Sequence, residues 1–425
     1  MEKDLRHLML DPNLLSLHTQ TLLSSIAAQS ASMNMSCYLV GGFVRDLLLQ
    51  KPVNDLDIIV EGNAIQLGEA LVKNYGGKLT PHHKFTTAIW HLPAKPSDTS
   101  EASHTLDLIT ARSETYTRPG ALPTVTPAAI EDDIRRRDFT INAMAVRLDG
   151  EHFGELLDPL GGRSDLAQSL IRVLHTHSFV DDPTRIFRAA RYEQRYGFTI
   201  ESETFSYINN ESLGVLSTLS GERIRHEFDL IFEEKNPALI LSRLKSLGVL
   251  DIFDLPEFNN IYFGSLDFKP PAEFGIFVNR VLLSYLLWFM DSAIETIASI
   301  SKRLDFNSEL SASALAGIRL KNDLPSLKGA KPSAWTFRLE GIPPASVYAL
   351  WLITKEPALN EFLVKWRHVK SNITGNDLKM RGIPPGPKYK ELLSQLRIAW
   401  LDGEVKNKKE EQELLNTLYE PPILP

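Results

Sequence analysis

Two acids separated by one residue, Asp55 and Asp57, are the clearest sign of chemistry in this 425-residue chain. Neighbouring carboxylates repel each other, so the arrangement is costly unless a cation lies beside them. Hard oxygen ligands of this type suit Mg²⁺, which keeps water and substrate phosphates as its other ligands. We therefore predict that both acids bind magnesium and act in catalysis. A lone Asp-x-Asp more often belongs to a turn or cap, so the prediction depends on its surroundings.

The segment before this pair is typical of a phosphate-binding turn. Gly41 and Gly42 follow a predicted apolar strand at residues 38–40 and precede a helical run at residues 45–50. Glycines let a ligand approach the backbone closely, and a helix N-terminus offers N–H groups to a triphosphate. We expect this turn to hold the triphosphate of a ligand.

A third acid, Asp107, lies on another predicted strand at residues 105–110. It occurs where a third metal ligand is expected. Its predicted catalytic role is to complete a second metal site and to help deprotonate an attacking hydroxyl.

Asp182 and Arg185 form a second candidate constellation. The sequence predicts a helix at residues 181–192 with acids at its start and proline in its first turn, so residues three apart share one face. A guanidinium offers donors and a carboxylate offers acceptors, which together match the mixed edge of a nucleobase. Such a pair could select a base without a nucleic-acid template. The alternative is an ordinary surface salt bridge.

The elements that must position these residues divide the chain into two parts. Short β-rich runs, turns and one helix at residues 64–75 predict a sheet-and-helix head at about residues 30–150. From residue 165 to residue 425 apolar positions recur mostly at helical spacing. The predicted fold class is therefore α+β, a mixed sheet with helices followed by an all-α region. The strands are predicted at residues 38–40, 56–60, 86–91, 105–110 and 143–148.

Bulk properties limit the possible functions. A single cysteine, Cys37, excludes an internal disulfide framework and favours a reducing compartment, so a cytoplasmic location is expected. No leader segment is visible, and the apolar stretch at residues 274–290 is interrupted, so we predict a buried helix and no membrane partner. No protein partner is predicted.

The net charge of −7 argues mildly against nucleic-acid binding. Residues 365–390 nevertheless contain seven Lys or Arg against one acid, Asp377, and so form a local basic segment within an acidic protein.

Taken together, the motifs resemble those of the class II tRNA nucleotidyltransferases and bacterial poly(A) polymerases, within the DNA polymerase beta-like superfamily. The resemblance runs over nearly the whole chain. The family usually has Glu where this chain has Asp181, a shorter acid that keeps the charge. The matching segments are GGFVRD at 41–46 with DLD at 55–57, RRDFTINA at 136–143, DPLGGRSDL at 158–166 and DDPTR at 181–185.

The resemblance implies a polymerase beta-like nucleotidyltransferase head at residues 1–158, a helical neck for nucleobase selection at 159–250, a helical body at 251–345 and a helical tail that binds tRNA at 346–425. The residues that it places on the incoming nucleotide are Gly42, Arg45, Arg137, Asp138, Asn142, Asp182, Arg185 and Arg188. The basic segment falls in the tail, where the phosphate contacts are expected from Lys365, Arg367, Lys370, Lys379 and Arg381.

The implied activity is addition of CCA to the 3′ end of tRNA, with CTP and ATP as substrates and Mg²⁺ as cofactor. Enzymes that add only CC or only A, and a poly(A) polymerase, are alternatives. Residues 112–135, expected to be flexible, are intact in length, which argues against a CC-only enzyme because such enzymes resemble the family with this loop shortened. A catalytically inactive tRNA-binding protein is the alternative from another class, and the complete set of acids argues against it.

Overall fold

The computed structural model describes residues 4–53, 56–93, 105–259, 262 and 269–419. The chain separates into two compact units, Met1–Leu219 with Arg243–Ile252, and Ser220–Ser242 with Phe253–Pro425. A mixed sheet with helices lies in the first unit, whereas the described residues of the second unit form helices and no strand. The predicted α+β class is confirmed. The four-part division into head, neck, body and tail stays a prediction.

The described strands all lie in the first unit, where Asp57 begins one strand and Asp107 lies within another. In chain order they are β1 (Ser36–Val40), β2 (Asp57–Glu61), β3 (Lys78–His82), β4 (Thr87–His91), β5 (Thr105–Thr110), β6 (Arg112–Thr115), β7 (Thr124–Pro127), β8 (Ala145–Arg147), β9 (Leu156–Leu157), β10 (Leu170–Ile171) and β11 (Thr199–Ile200). Among the described residues, seven of them form one sheet in the order β3-β4-β5-β2-β1-β8-β9. The β2–β5 pair is parallel and the pairs on either side of it are antiparallel.

The centre of this sheet is apolar because its strands are covered on both faces. Ile58, Ile59 and Val60 of β2 are fully buried, as expected for a near-continuous apolar run in a central strand. The five predicted strands are present, with ends that differ by at most about two residues. Strand β3 and the β6–β7 hairpin were not predicted.

The helices of the first unit are α1 (Arg6–Met9), α2 (Leu17–Ser32), α3 (Gly42–Leu48), α4 (Ala64–Tyr75), α5 (Ile130–Arg135), α6 (Gly162–Ala167), α7 (Ser178–Asp181), α8 (Arg185–Tyr196), α9 (Ser202–Ser206) and α10 (Asn210–Ser217). The predicted helix at residues 181–192 is wrong at its start, because α7 ends at Asp181, Asp182 is extended and α8 begins at Arg185. Pro183 explains the break, since a proline disfavours helical geometry in the residue before it.

The other α-helices among the described residues are α11 (Gly221–Glu233), α12 (Pro237–Ser246), α13 (Arg280–Phe289), α14 (Ile294–Arg303), α15 (Ser308–Leu327), α16 (Pro332–Leu339), α17 (Pro344–Thr354), α18 (Pro357–Val364), α19 (Gly375–Met380), α20 (Pro387–Leu401) and α21 (Lys408–Leu418). Helix α13 is the buried helix expected within residues 274–290, and its Trp288 ring packs 5.2 Å from Phe228. None of the helices in the described part of the chain has the length and apolarity that a membrane crossing needs.

Candidate functional site

A cleft of ≈ 420 Å³ in the first unit gathers most of the residues that the sequence singled out. Arginines dominate its wall, and acids stand among them. This composition suits a polyanionic ligand whose remaining parts include hydrogen-bond donors. The lining residues are Gly41, Gly42, Phe43, Arg45, Asp57, Glu114, Tyr116, Arg136, Arg137, Asp138, Asn142, Asp182, Arg185, Arg188, Tyr192 and Arg195.

Asp57 and Asp107 are brought together by the parallel β2–β5 pair. Their Cα atoms are register partners on adjacent strands, and both residues are exposed while Ile58 and Leu108 beside them are buried. Register partners on one ladder present their side chains on the same face. The donor set therefore fits a divalent cation that prefers oxygen ligands. Asp55, the other predicted metal ligand, lies outside the described residues.

The glycine turn allows the backbone and an arginine to approach each other closely. Gly41 has φ 63°, and helix α3 begins at Gly42. A Cβ atom added to Gly41 would lie 2.6 Å from Nη1 of Arg137. The backbone angle therefore favours glycine at this position, and a larger residue would displace the end of the Arg137 side chain.

Arg45 is a fixed positive charge in the cleft wall, and the residue is 5% exposed. Its Nε and Nη2 donate to the two carboxylate oxygens of Asp46 over 2.9 and 3.0 Å, and its Nη1 donates to Asn142 Oδ1 over 2.6 Å. Its guanidinium carbon lies 4.6 Å from the ring centroid of Tyr196. Burial opposes the charged form, but Asp46 and the tyrosine rings outweigh it and raise the pKa of Arg45.

The carboxylate of Asp138 joins two predicted nucleotide-binding residues. Oδ1 accepts from Asn142 Nδ2 at 2.9 Å and from the Phe139 amide at 2.8 Å, and Oδ2 accepts from Arg188 Nε at 2.7 Å. Burial favours the neutral acid, but the charge of Arg188 and these hydrogen bonds outweigh it and lower the pKa of Asp138. Arg45, Asn142, Asp138 and Arg188 thus form one continuous hydrogen-bonded chain.

Two acids that the sequence analysis did not single out hold the two arginines of the RRDFTINA segment at residues 136–143. Asp133, fully buried on α5, accepts from Arg136 Nη2 at 2.7 Å and from Arg137 Nη2 at 2.9 Å. Glu114 on β6 accepts from Arg136 Nη1 at 2.9 Å and from the Tyr116 hydroxyl at 3.1 Å. Burial is the main cause that raises the pKa of Tyr116 to about 12, so its hydroxyl keeps its proton.

Asp182 and Arg185 both line the cleft, and each is held by a neighbouring hydroxyl. Asp182 Oδ1 accepts from Thr184 Oγ1 at 2.7 Å. Arg185 Nη1 donates to Ser178 Oγ at 2.6 Å, and its Nη2 donates to the Arg136 carbonyl at 3.0 Å. Both residues therefore line the same cleft as Arg45, and Asp182 precedes the helix instead of lying on it.

Helix α8 adds cleft residues that the sequence analysis missed. Tyr192 and Arg195 line the cleft beside Arg188. The Tyr192 hydroxyl accepts from Arg188 Nη2 at 2.9 Å. Residues 185, 188, 192 and 195 have the 3-4-3 spacing of one helix face, so helical periodicity from Arg185 could have identified them.

The predicted RNA-binding residues belong to the second unit. Lys365, Lys370 and Lys379 are exposed. Arg367 is half-buried and donates to a backbone carbonyl of the same unit, and exposed Arg381 donates to a side-chain amide on α21 at 2.7 Å. The three lysines therefore present their charge to solvent, whereas the two arginines also have intramolecular partners.

Comparison with known proteins decides the family. A model described as the poly A polymerase head domain matches residues 37–172, and another, described as a probable RNA and SrmB-binding site of polymerase A, matches residues 197–261. An A-adding tRNA nucleotidyltransferase of Halalkalibacterium halodurans is 31% identical over 92% of this chain and 90% of that protein. The chain belongs to the tRNA nucleotidyltransferase family.

Further similarities extend along the whole chain. An A-adding tRNA nucleotidyltransferase of Geobacter sulfurreducens is 33% identical over 93% of this chain, but the chain spans only 46% of that protein's length. The Thermotoga maritima CCA-adding enzyme complexed with tRNA superimposes with a TM-score of 0.74 at 29% identity, over 99% of this chain and 100% of that one. This family of nucleotidyltransferases uses divalent metal ions, and the adjacent Asp57 and Asp107 suit such an ion.

Proposed function

We propose that this nucleotidyltransferase adds CCA to the 3′ end of tRNA, using CTP and ATP and reading each base with its own side chains. One observation carries the proposal: a single cleft is lined by an acid at the start of β2, by Arg45 and by the Asp182 and Arg185 pair. These groups match, respectively, a metal-assisted reaction centre, a triphosphate and the edge of a base.

Mg²⁺ bound by Asp55 and Asp57 would supply charge neutralisation at the α-phosphate and lower the pKa of the attacking 3′ hydroxyl. Asp107 would complete the ligand set and help to remove the hydroxyl proton. The bond from the tRNA 3′ oxygen to the α-phosphorus forms as the bond to pyrophosphate breaks. Gly42 and Arg45 would hold the departing pyrophosphate, because helix α3 begins at Gly42 and the guanidinium is already fixed.

The base reading follows from hydrogen-bond chemistry. Cytosine and adenine each present an exocyclic amino donor beside a ring-nitrogen acceptor, and a carboxylate with a guanidinium matches that pattern. Uracil and guanine present a carbonyl oxygen in place of the amino group, and this oxygen would face the Asp182 carboxylate. Asp182 and Arg185 would therefore accept CTP and ATP and reject UTP and GTP. Arg137, Asp138, Asn142 and Arg188 would hold the sugar and the remainder of the nucleotide.

Addition of A alone is a second candidate, favoured by the two relatives described above, which are both A-adding proteins and align with more than nine tenths of this chain. A CC-only product is disfavoured, since residues 112–135 are intact in length and form the β6–β7 hairpin and α5. The exposed lysines of the basic segment would contact tRNA phosphates in either case.

The product distinguishes the candidates. Purified protein is incubated with Mg²⁺ and tRNA transcripts that end before C74, after C75 or after A76, with CTP, ATP or both, and the products are sized. Completion of every truncated end to CCA supports the first proposal, and addition to the transcript ending after C75 alone supports the second. CC alone or a long A tail contradicts both, and absence of any addition with retained tRNA binding overturns the catalytic assignment.

A further inference from the structure

We infer that two buried hydroxyls, Ser178 and Thr184, fix the orientation of Arg185 and Asp182 and thereby set the discrimination between nucleobases. Ser178 is 0% exposed and Thr184 is 8% exposed. Each hydroxyl binds one member of the pair, so they act as positioning residues and do not contact the nucleotide. The inference rests on the proposed base-reading function of Asp182 and Arg185.

The guanidinium of Arg185 is held at both terminal nitrogens. Nη1 donates to Ser178 Oγ at 2.6 Å and Nη2 donates to the Arg136 carbonyl at 3.0 Å. A guanidinium is planar and rigid, so two anchored nitrogens fix the plane and direction of its other N–H groups. Without the Ser178 hydroxyl, the Arg136 carbonyl would remain as a single anchor about which the group can turn.

The carboxylate of Asp182 is fixed in a comparable way. Its Oδ1 accepts from both Oγ1 and the amide nitrogen of Thr184, at 2.7 and 3.2 Å. Two donors on one oxygen restrict rotation about the bond that joins the carboxylate to its chain. The hydroxyl makes the shorter of the two bonds, so its removal leaves only the longer of the two contacts that Thr184 makes with this oxygen.

The backbone that carries these hydroxyls is itself anchored. The Asp182 amide donates to the Ser178 carbonyl at 3.2 Å, and the Gly120 amide at the tip of the β6–β7 hairpin donates to the carbonyls of Val180 and Asp181, each at 3.2 Å. A reading pair on a fixed turn with fixed side chains is pre-organised for one hydrogen-bond pattern. Rejection of a wrong base then follows, because a rigid carboxylate cannot turn away from a carbonyl oxygen.

Loss of either hydroxyl should therefore alter the choice of base more than the rate of transfer. The hydroxyls of Ser178 and Thr184 bind Arg185 and Asp182, whereas Arg45 is held by Asp46 and Asn142, so the proposed phosphate site is positioned by other residues. A loosened pair would tolerate GTP, whose carbonyl and ring N–H reverse the pattern of adenine. We expect the ratio of kcat/KM for ATP to that for GTP to fall by ~10-fold or more.

The test uses a tRNA transcript that lacks only A76, which is a substrate for either candidate product. The kcat/KM values for ATP and GTP are compared in Thr184→Val, which keeps the side-chain shape without the hydroxyl, and Thr184→Ser, which keeps the hydroxyl. Ser178→Ala is the second variant. Ser30→Ala is its matched control, since Ser30 is also 0% exposed but lies on α2 and binds Ala27 and Cys37.

The inference is supported if Thr184→Val and Ser178→Ala lower the ATP-to-GTP ratio while Thr184→Ser and Ser30→Ala stay within ~2-fold of the parent. It is overturned if Thr184→Val keeps the parent ratio while Arg185→Ala changes it. If Ser178→Ala does not fold, the Thr184 pair of variants decides. Should Arg185→Ala itself leave the ratio unchanged, the base-reading proposal fails, and that outcome is distinct from failure of the hydroxyls alone.

Discussion

The guanidinium of Arg188 donates to the carboxylate of Asp138 over 2.7 Å, and this ion pair joins α8, the helix that carries Arg185, to the segment of Asp138 and Asn142, which also lines the cleft. Asp138 also accepts from Asn142, which accepts from Arg45. Helix α8, which carries Arg185, and helix α3, which carries Arg45, are thereby joined by one hydrogen-bonded chain. A nucleotide held at one end of this chain is positioned relative to the other end.

Asp138→Asn should weaken both folding and catalysis, because it keeps the shape of the side chain but leaves Arg188 without its buried counter-charge. We expect the free energy of unfolding to fall by about 2 kcal/mol and kcat/KM to fall by ~100-fold. Urea denaturation and nucleotide incorporation measure the two effects. Asp251→Asn, which removes a charge paired with exposed Lys245, is the control and should change neither. Parent-like stability of Asp138→Asn would contradict the role of the ion pair.

The stabilisation by Asp138 should also depend on pH. Its pKa in the folded chain is lowered from 3.8, so the unfolded chain binds this proton more readily than the folded chain does. The contribution is therefore complete above pH 3.8 and is lost as the pH falls through the lower folded pKa. The difference in unfolding free energy between the parent and Asp138→Asn should shrink when acid denaturation is followed below that pH. A difference that stays constant or grows would show that another group dominates.

Gly41→Ala should impair nucleotide binding through Arg137. The added Cβ would lie 2.6 Å from Arg137 Nη1, and φ at this position is 63°. We expect a cost of about 1–3 kcal/mol in stability from the backbone angle and a rise of ~10-fold or more in KM for the nucleotide. Gly150→Ala is the matched control, because Gly150 has φ 55° but a Cβ atom added there would meet nothing within 4 Å. Equal KM effects in the two variants would mean that the backbone, and not Arg137, is responsible.

Asp57→Ala and Asp107→Ala should each lower nucleotide incorporation by ~1,000-fold or more, if both acids serve the metal-assisted step. Their thermal stability should be unchanged or higher, since both residues are exposed and the parent places them side by side on adjacent strands. Incorporation of labelled ATP and the melting temperature are measured together. Glu69→Gln removes an exposed acid on α4 and serves as the control. Activity close to that of the parent in Asp57→Ala would remove this residue from the catalytic set.

Lys365→Ala, Lys370→Ala and Lys379→Ala should each weaken tRNA binding by a few-fold and reduce the slope of log Kd against log salt by about 1. Arg367→Ala should differ, because it also removes a hydrogen bond to a backbone carbonyl and is expected to lower the melting temperature. Filter binding over a range of salt concentrations gives the slopes. Lys235→Ala, at an exposed position before α12, is the control. Unchanged slopes in all three lysine variants would place the tRNA contacts elsewhere.

Local features of the sequence determined the parts of the site that lie close together along the chain. The glycine turn, the strand that begins at Asp57 and the Asp182-x-x-Arg185 spacing could be identified because backbone freedom and side-chain periodicity act over a few residues. Helical periodicity likewise fixed the all-α character of the second half. The same local reasoning placed Asp182 on a helix, and the structure corrects this, since Pro183 restricts the residue before it.

Only the tertiary structure decided which partners fix those residues. Asp57 and Asp107 became neighbours through strand pairing across 50 positions, and Glu114 reached Arg136 through a hairpin that no local pattern predicted. Ser178 accepts a hydrogen bond from Arg185, and the sequence alone does not reveal this contact. Such contacts depend on burial and register, because a hydroxyl or carboxylate can bind many partners and folding selects one of them. The sequence therefore determined which groups are present, and packing decided how they are oriented.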